Sequence, residues 1–364
     1  MVVDGLEPAR VERPSTAGEL AEALRAAAEA GESVVPVGGG RALGMGDPLE
    51  RFDVALETRA LDRVLEESQA DLTISVEAGI TVEALNARLA QVGQFLPIDP
   101  PGSPGHTVGG VLASGLSGPL RLRYGSPRDF VIGLRVALPD GRLASSGGRV
   151  VKNVSGYDLN KLHQGALGSL GVIVAASFKV FPRPLHERTL EARPDDPWAE
   201  AARALALPQP PIALELTGDG RLLARLAGTA AGVDRMTRAL GWADAAPEVW
   251  EEHASRSGAT WARISAPPAR LRELVERLPE AAAWWASPGV GTAHWTGDIE
   301  AGPLLEMRAA AEQAGGALVL LAAPVELKRQ VGAWGAPPAT ADWMRRLRDA
   351  FDPGRALSPG RYVV

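Results

Sequence analysis

Apolar and polar positions along the chain fall into two textures. Through the first half, short alternating runs rich in β-branched residues trade places with stretches of helical character. A helix is expected through AGELAEALRAAAEAG (17–31), with Thr16 or Ser15 as its cap, Glu19 placed to close a capping box on Thr16, and Gly31 as its stop. The strand SVVPV (33–37) comes next, then strands DVALE (53–57) and DLTISVEAG (71–79), and a helix from Thr81 to Gly93. Such alternation suits an α/β layer. Residues 97–128 break the pattern, holding one short helix, TVGGVLASG, among prolines, glycines and small polar residues. Loops of that length inside a compact domain generally carry function. A hairpin, DFVIGLRVALPDGRLAS with its Pro-Asp-Gly turn, and a long strand, GVIVAASFKVFP, complete this half.

The second half reads differently. A helix and a proline break between Asp195 and Pro211 mark a boundary region. Beyond it lie IALELTG, RLLARLAG, WARISA, AAAWWAS, GVGTAHWTG and ALVLLAA, with helices near 230–241, in PARLRELVERL and in LLEMRAAAEQAGG. A sheet with its helices on one face is the natural arrangement, which makes this half α+β. The last stretch, ATADWMRRLRDAFDPGRALSPGRYVV, is a helix followed by a Pro/Gly-rich tail.

Composition narrows the class. At about 150 residues per domain, 364 residues suggest two domains. Hydrophobic residues make up 46% and charged ones 23%, near globular averages, which argues against wholesale disorder and against a membrane protein. The longest apolar runs, such as ALVLLAAPV, are too short to cross a bilayer, and MVVDGLEPARVERP lacks the apolar segment of a signal peptide. A soluble, cytoplasmic chain is the expectation. Net charge is -6 with no basic stripe, so nucleic acid is not expected as a partner. Cysteine is absent, which excludes disulfides, thiolate zinc, iron-sulfur clusters, a cysteine nucleophile and a cysteinyl cofactor linkage. The five histidines never fall at i, i+3 or i+4, and no metal site is expected.

Chemistry concentrates in glycine. PVGGGRALGMG (36–46) holds five glycines in eleven positions directly behind a strand. It fails the dinucleotide fingerprint, because Gly38 and Gly40 are followed by Leu43 where a third glycine belongs, and no G-K-[ST] exists for a P-loop. What survives is a run of amides bare enough to wrap a pyrophosphate, level with a plain glycine turn. A second cluster, PPGSPGHTVGGVLASGLSG, sets Gly109 and Gly110 at an expected helix start, where free N–H groups favour an anion or an electron-rich ring edge. In the third, KNVSGYDLNKLHQGALGSLGVIVAASFKVFPRP, Gly165, Gly168 and Gly171 recur every three residues before a strand and permit close contact with a flat ligand. All three fall within residues 36–173.

Together with DLTISVEAGITVEALNARLAQVGQFLPID and SPRDFVIGLRVALPDGR, these clusters resemble the FAD-binding domain of the vanillyl-alcohol oxidase type. Within that superfamily they most resemble the E subunits of bacterial glycolate oxidases, over roughly half the chain, and FDPGRALSPG is similar in outline to the family's closing segment. The fold implied is α+β. An FAD-binding domain of two α/β subdomains spans 1–190 (about 1–60 and 61–190), a smaller α+β cap or interface domain spans 191–338, and a segment at 339–364 returns to the FAD domain. The resemblance places the FAD pyrophosphate on Val37, Gly38, Gly39, Gly40, Arg41, Ala42 and Leu43. It puts Pro101, Gly102, Ser103, Thr107, Gly109, Gly110, Ser114, Gly115 and Ser117 beside the flavin and diphosphate, and Gly168, Gly171, Val172 and Ile173 on the adenine side. Arg128 with Asp129 and Lys161 with Asp158 are candidates for ligand contact or for mutual pairing.

Departures from the family pattern shape the function expected. Many of its members attach FAD through a histidine; the first loop has none, His106 sits in the second, and noncovalent FAD is the expectation. HWTGD (294–298) has no companion histidine of the kind expected in the catalytic subunit, so no catalytic residue is assigned. Trp242, Trp250, Trp261, Trp284, Trp285 and Trp295 are expected in a core or a subunit interface. The resemblance implies an FAD-binding subunit of a multi-subunit glycolate oxidase, partnered by a catalytic flavoprotein subunit and an iron-sulfur subunit, with membrane contact only through the complex. Its rivals are a self-sufficient FAD oxidoreductase for 2-hydroxy acids and a nonenzymatic assembly subunit.

Overall fold

The computed structural model describes residues 1–102, 104–148 and 159–363. Two units emerge: Met1–Leu116 with Ser126–Pro182 and the segment from Ala336 onward, and Ser117–Gly125 with Arg183–Gly335.

In the first unit, β1 (Arg10–Glu12), β2 (Val34–Val37) and β3 (Val54–Glu57) form a parallel sheet in the order β1-β3-β2. Helix α1 (Ala17–Glu29) connects β1 to β2 and buries Leu20 and Leu24 with Val34, Val54 and Leu56. Its cap is shared: Thr16 Oγ1 accepts from the Glu19 amide at 3.1 Å, while the Glu19 carboxylate accepts chiefly from the amide and hydroxyl of Ser15. Pro36 is tolerated within β2 because this is an edge strand. Asp53 ties the starts of β2 and β3, its carboxylate accepting from the Ser33 amide and hydroxyl at 2.8 Å each.

A second sheet, antiparallel throughout, has the order β4-β5-β9-β7-β8, from β4 (Val64–Ser68), β5 (Thr73–Glu77), β7 (Val131–Ala137), β8 (Leu143–Gly147) and β9 (Val172–Lys179). The alternation read from sequence suggested an α/β layer here; hairpins replace crossovers because Leu72, at φ +53, turns the chain tightly between β4 and β5. Helices α2 (Val82–Ala90) and α3 (Val108–Ser114) cover the sheet, burying Leu85, Leu89, Val111 and Leu112 against Ile74, Val136 and Phe178. Short elements complete the unit: β6 (Gln94–Phe95) pairs with β10 (Phe181–Pro182), and α5 (Pro127–Phe130), α6 (Asn160–His163) and α13 (Ala341–Phe351) connect or follow the strands.

The second unit contains α4 (Arg121–Tyr124) and an eight-stranded antiparallel sheet. Its order is β14-β11-β13-β12-β16-β17-β15-β18, from β11 (His186–Ala192), β12 (Ala213–Thr217), β13 (Leu222–Gly228), β14 (Ala243–Asp244), β15 (Thr260–Ser265), β16 (Ala283–Ser287), β17 (Thr292–Gly297) and β18 (Ala317–Ala322). Alternation sorts the side chains: Leu214 and Leu216 join the core of α7 (Pro197–Leu205) and α8 (Ala230–Leu240), and Ile264 and Trp295 that of α10 (Pro268–Val275) and α11 (Ala301–Gln313). The opposite face carries Glu215, Trp261, Trp285, Ser287 and His294. Helices are not confined to one face, since α9 (Val249–Ala254) sets Val249 and Trp250 on Ala213 and Leu223. Helix α12 (Val325–Val331) follows β18. Of the six tryptophans expected in a core or interface, Trp242, Trp250, Trp261, Trp285 and Trp295 are buried, and Trp284 is half-buried against the core that holds Ile264 and Trp295.

No helix among the described residues is long and apolar enough to cross a membrane. No group of three or more metal-ligating side chains occurs among them either.

Candidate functional site

Strand β2 delivers the first glycine loop, and the glycines explain its path. A Cβ on Gly38 would stand 2.2 Å from Thr107 Oγ1, and one on Gly39 only 1.9 Å from the Gly105 carbonyl oxygen. Side chains are excluded because a second loop is pressed against the first. Gly40 serves another need, a backbone at φ +77 that L-residues rarely adopt. The consequence is electrostatic: from Gly38 to Leu43, none of six consecutive amide N–H groups donates to a protein acceptor among the described residues. Beyond the run, the Met45 amide meets the Ala42 carbonyl at 3.1 Å. Unmet amides in series form an anion nest.

The second loop returns to the sheet through a bridge between Thr81 and Thr107, with Val82 N–H on His106 O at 3.0 Å and Val108 N–H on Ile80 O at 2.9 Å. Here the structure corrects the expectation of free helix-start amides. Gly109 donates to Ala78 O at 2.8 Å and Gly110 to the capping Thr107 Oγ1 at 3.2 Å, because the helix begins hard against the β5 turn. His106 is 2% exposed and its Nε2–H donates to Pro101 O at 3.1 Å. Burial pushes its pKa down, with the bond to Pro101 only partly opposing, so the ring is neutral.

The third cluster flanks α3 on its other side. Gly165 N–H bonds Leu112 O and Leu167 N–H bonds Ala113 O, each at 2.9 Å. A Cβ on Gly168 would approach Pro36 at 3.1 Å, which draws this segment against β2 as well.

One crevice results. Of the expected residues, Gly38, Gly39, Gly40, Arg41, Ala42, Leu43, Thr107, Gly110 and Ser114 line it. Val37 turns into the core, Gly109 packs on Ala78, Gly115 is the left-handed cap of α3 at φ +66, and Pro101 holds His106. Gly102, at φ +84, and Gly168 lie off the lining. Gly171 packs on Val136, and Val172 and Ile173 are core residues of β9, so the structure puts these three in the sheet and not on the crevice wall. Ser117 falls in the second unit, and Ser103 and Asp158 lie outside the described residues. Asp129 caps its own helix by accepting from Ser126. The lining also includes residues that glycine counting did not single out: Val35, Pro36, His106, Ala113, Leu167, Ser358 and Arg361.

Residues 8–147 match the family model of the FAD binding domain. The chain is 31% identical over 324 residues to the glycolate oxidase subunit GlcE of Escherichia coli K12, covering 84% of this chain and 86% of that one. It is 32% identical to the glycolate oxidase subunit GlcD of Bacillus subtilis 168, over 51% of this chain and 39% of that one. The mitochondrial D-lactate dehydrogenase (cytochrome) of Arabidopsis thaliana is 34% identical over 48% of this chain and 30% of its own. Among solved structures, alkyldihydroxyacetonephosphate synthase shares the fold, with a TM-score of 0.71 at 16% identity, over 97% of this chain and 77% of that one. The crevice fits FAD in its donor chemistry, with a row of unmet amides for a diphosphate beside an apolar wall of Val35, Pro36, Ala113 and Leu167.

Proposed function

The chain belongs to the family of GlcE glycolate oxidase subunits and is an FAD-dependent oxidoreductase; from that premise we propose that it is the FAD-binding subunit of a multi-subunit glycolate oxidase. It supports oxidation of glycolate to glyoxylate and hands the electrons to a catalytic flavoprotein subunit and an iron-sulfur subunit. The observation that carries the reading is the run of six amides from Gly38 to Leu43 with no protein acceptor among the described residues.

Bound FAD supplies the two-electron chemistry; this chain's residues do the holding. The nest amides donate charge-assisted bonds to the diphosphate, each roughly twice the strength of a neutral one. Ser114 donates its hydroxyl hydrogen to Val111 O at 3.2 Å, whereas Thr107 Oγ1 accepts from the Gly110 amide in capping α3 and keeps its own hydrogen to donate. Leu167 and Ala113 keep water off the apolar wall. His106, neutral and tied to Pro101, supports noncovalent attachment.

Spectroscopy on the purified chain tests this. Flavin absorption bands that move entirely to the supernatant on acid precipitation are expected, with no bleaching by glycolate until partner subunits are added. A colourless protein that FAD cannot reconstitute sinks the reading. Bleaching by glycolate or D-lactate with the chain alone replaces it with a self-sufficient dehydrogenase.

A further inference from the structure

The segment that follows α13 is laced into the glycine loop. Val34 N–H donates to Ala356 O at 2.7 Å and Ser358 N–H to Val34 O at 3.0 Å, so this segment extends the free edge of β2, the strand that delivers the loop. Further along, the amides of Glu50 and Asp47 donate to Pro359 O and Arg361 O at 3.0 and 3.1 Å. Contact is tight enough that a Cβ on Gly46 would stand 2.4 Å from the Arg361 carbonyl oxygen. Arg361 is 3% exposed, and its side chain donates to the carbonyl oxygens of Leu43 and Met45 and to Asp4 Oδ2, the last at 3.0 Å. Its guanidinium therefore grips the loop where the six unmet amides end.

Ser358 stands out beside it. Its backbone sits at φ +43, a costly conformation for a residue with a side chain, and the residue is 1% exposed. Its hydroxyl has no hydrogen-bond partner, yet it lines the crevice with the glycine loop. A buried hydroxyl left unmet is destabilising, and backbone strain adds to the cost. Both become intelligible if an acceptor arrives with the ligand.

Resting on the FAD reading above, we infer that Ser358 donates its hydroxyl hydrogen to the diphosphate of bound FAD, and that Arg361 is the positioning residue that holds the glycine loop in its receptive shape. The family's FAD-binding model ends at residue 147, so this completes the cradle from a distant part of the chain. An ionised diphosphate oxygen is the right counterpart: it only accepts, and Ser358 offers a donor.

The test is titration of apo-protein with FAD and with ADP, which carries the same diphosphate, together with thermal melts with and without FAD. Ser358→Ala is expected to weaken both ligands about tenfold, the worth of a hydrogen bond to a charged group, while the apo melting temperature stays level or rises. Arg361→Lys keeps the charge near Asp4 but cannot serve two carbonyls and a carboxylate at once, and a smaller FAD-induced gain in melting temperature is expected. Wild-type affinity in Ser358→Ala overturns the assignment of Ser358, as does a loss confined to FAD with ADP unaffected. A lower apo melting temperature in Arg361→Lys with an unchanged FAD-induced gain makes Arg361 merely structural. A wild-type protein that binds no FAD sinks the underlying reading instead, so the two failures are told apart.

Discussion

Two polar regions of this chain differ in where their hydrogen bonds end. On the polar face of the second unit's sheet, buried polar side chains crowd together and satisfy one another. Arg256 donates to His253 Nδ1 at 3.3 Å, which leaves Nε2–H to donate to Glu215 Oε2 at 3.2 Å, and Ser287 donates to the other Glu215 oxygen. Beside them Trp261 Nε1–H donates to His294 Nδ1 at 2.9 Å, and burial, with Arg263 adding to it, pushes His294 down to about 3. Nothing in that network asks for a ligand. The first unit's loop is the reverse: few side chains, and six consecutive backbone donors unmet among the described residues. Chemically rich residues thus mark a scaffold here, and chemically poor ones mark the proposed site.

The largest effect is expected where the two loops touch. A Cβ at Gly39 would lie 1.9 Å from a backbone carbonyl that has no room to yield. Gly39→Ala must separate the loops, an overpacking cost of about 3 kcal/mol, and FAD affinity measured by fluorescence titration should fall by about 100-fold or more. Retained affinity would mean the loops need not meet for the nest to work, and the contrast drawn above would fail.

Glu215→Gln probes the other side of the comparison. Both partners donate toward the carboxylate, so a glutamine NH₂ must face a donor, and one buried polar group is left unmet. Urea unfolding should show a loss of about 2 kcal/mol. FAD affinity should stay within about twofold of wild type. If affinity drops with stability, the network is not the closed scaffold described.

Sequence made the regular elements legible where local signals agree with tertiary packing. Thr16 caps its helix as expected, the helices expected from Thr81 and in TVGGVLASG form with Thr81 and Thr107 as their caps, and the Pro-Asp-Gly turn closes β7 onto β8. Strands β1 and β11 were not foreseen. RVE is three residues long, and HERTLEA is mostly polar because only Thr189 and Leu190 are buried along it. In the glycine clusters, composition signals close approach but not which partner approaches. Gly38 and Gly39 make room for the second loop, whereas Gly171 makes room for Val136 inside the sheet. Whether an amide is free depends on long-range pairing, as Gly109 on Ala78 illustrates, and no local pattern encodes it. Ser358 and Arg361 escape notice for the same reason: ALSPGRY reads as an ordinary tail until it meets Val34 and the loop.

Asp53 sharpens the comparison with a smaller effect, since it is a satisfied polar group within the first unit and should behave as those of the second do. The Ser33 amide, then the Ser33 hydroxyl and then Arg51, hold its carboxyl down at about 2, below the ordinary value of about 3.9. A depressed carboxylate pKa contributes stability that is fully present above about pH 5, falls to about half near pH 3, and is lost toward pH 2. Because 38% of the side chain is exposed, solvent screening reduces that contribution to about 1 kcal/mol. Asp53→Asn should therefore unfold about 1 kcal/mol more easily than wild type at pH 7, and the gap should narrow steadily between pH 5 and pH 3. FAD affinity at pH 7 should not move, because Asp53 fixes the roots of β2 and β3 and leaves the nest amides alone. A gap that does not depend on pH would show that Ser33 and Arg51 do not act through the ionised carboxylate, and a parallel loss of FAD affinity would tie the satisfied groups of the first unit to its unsatisfied ones.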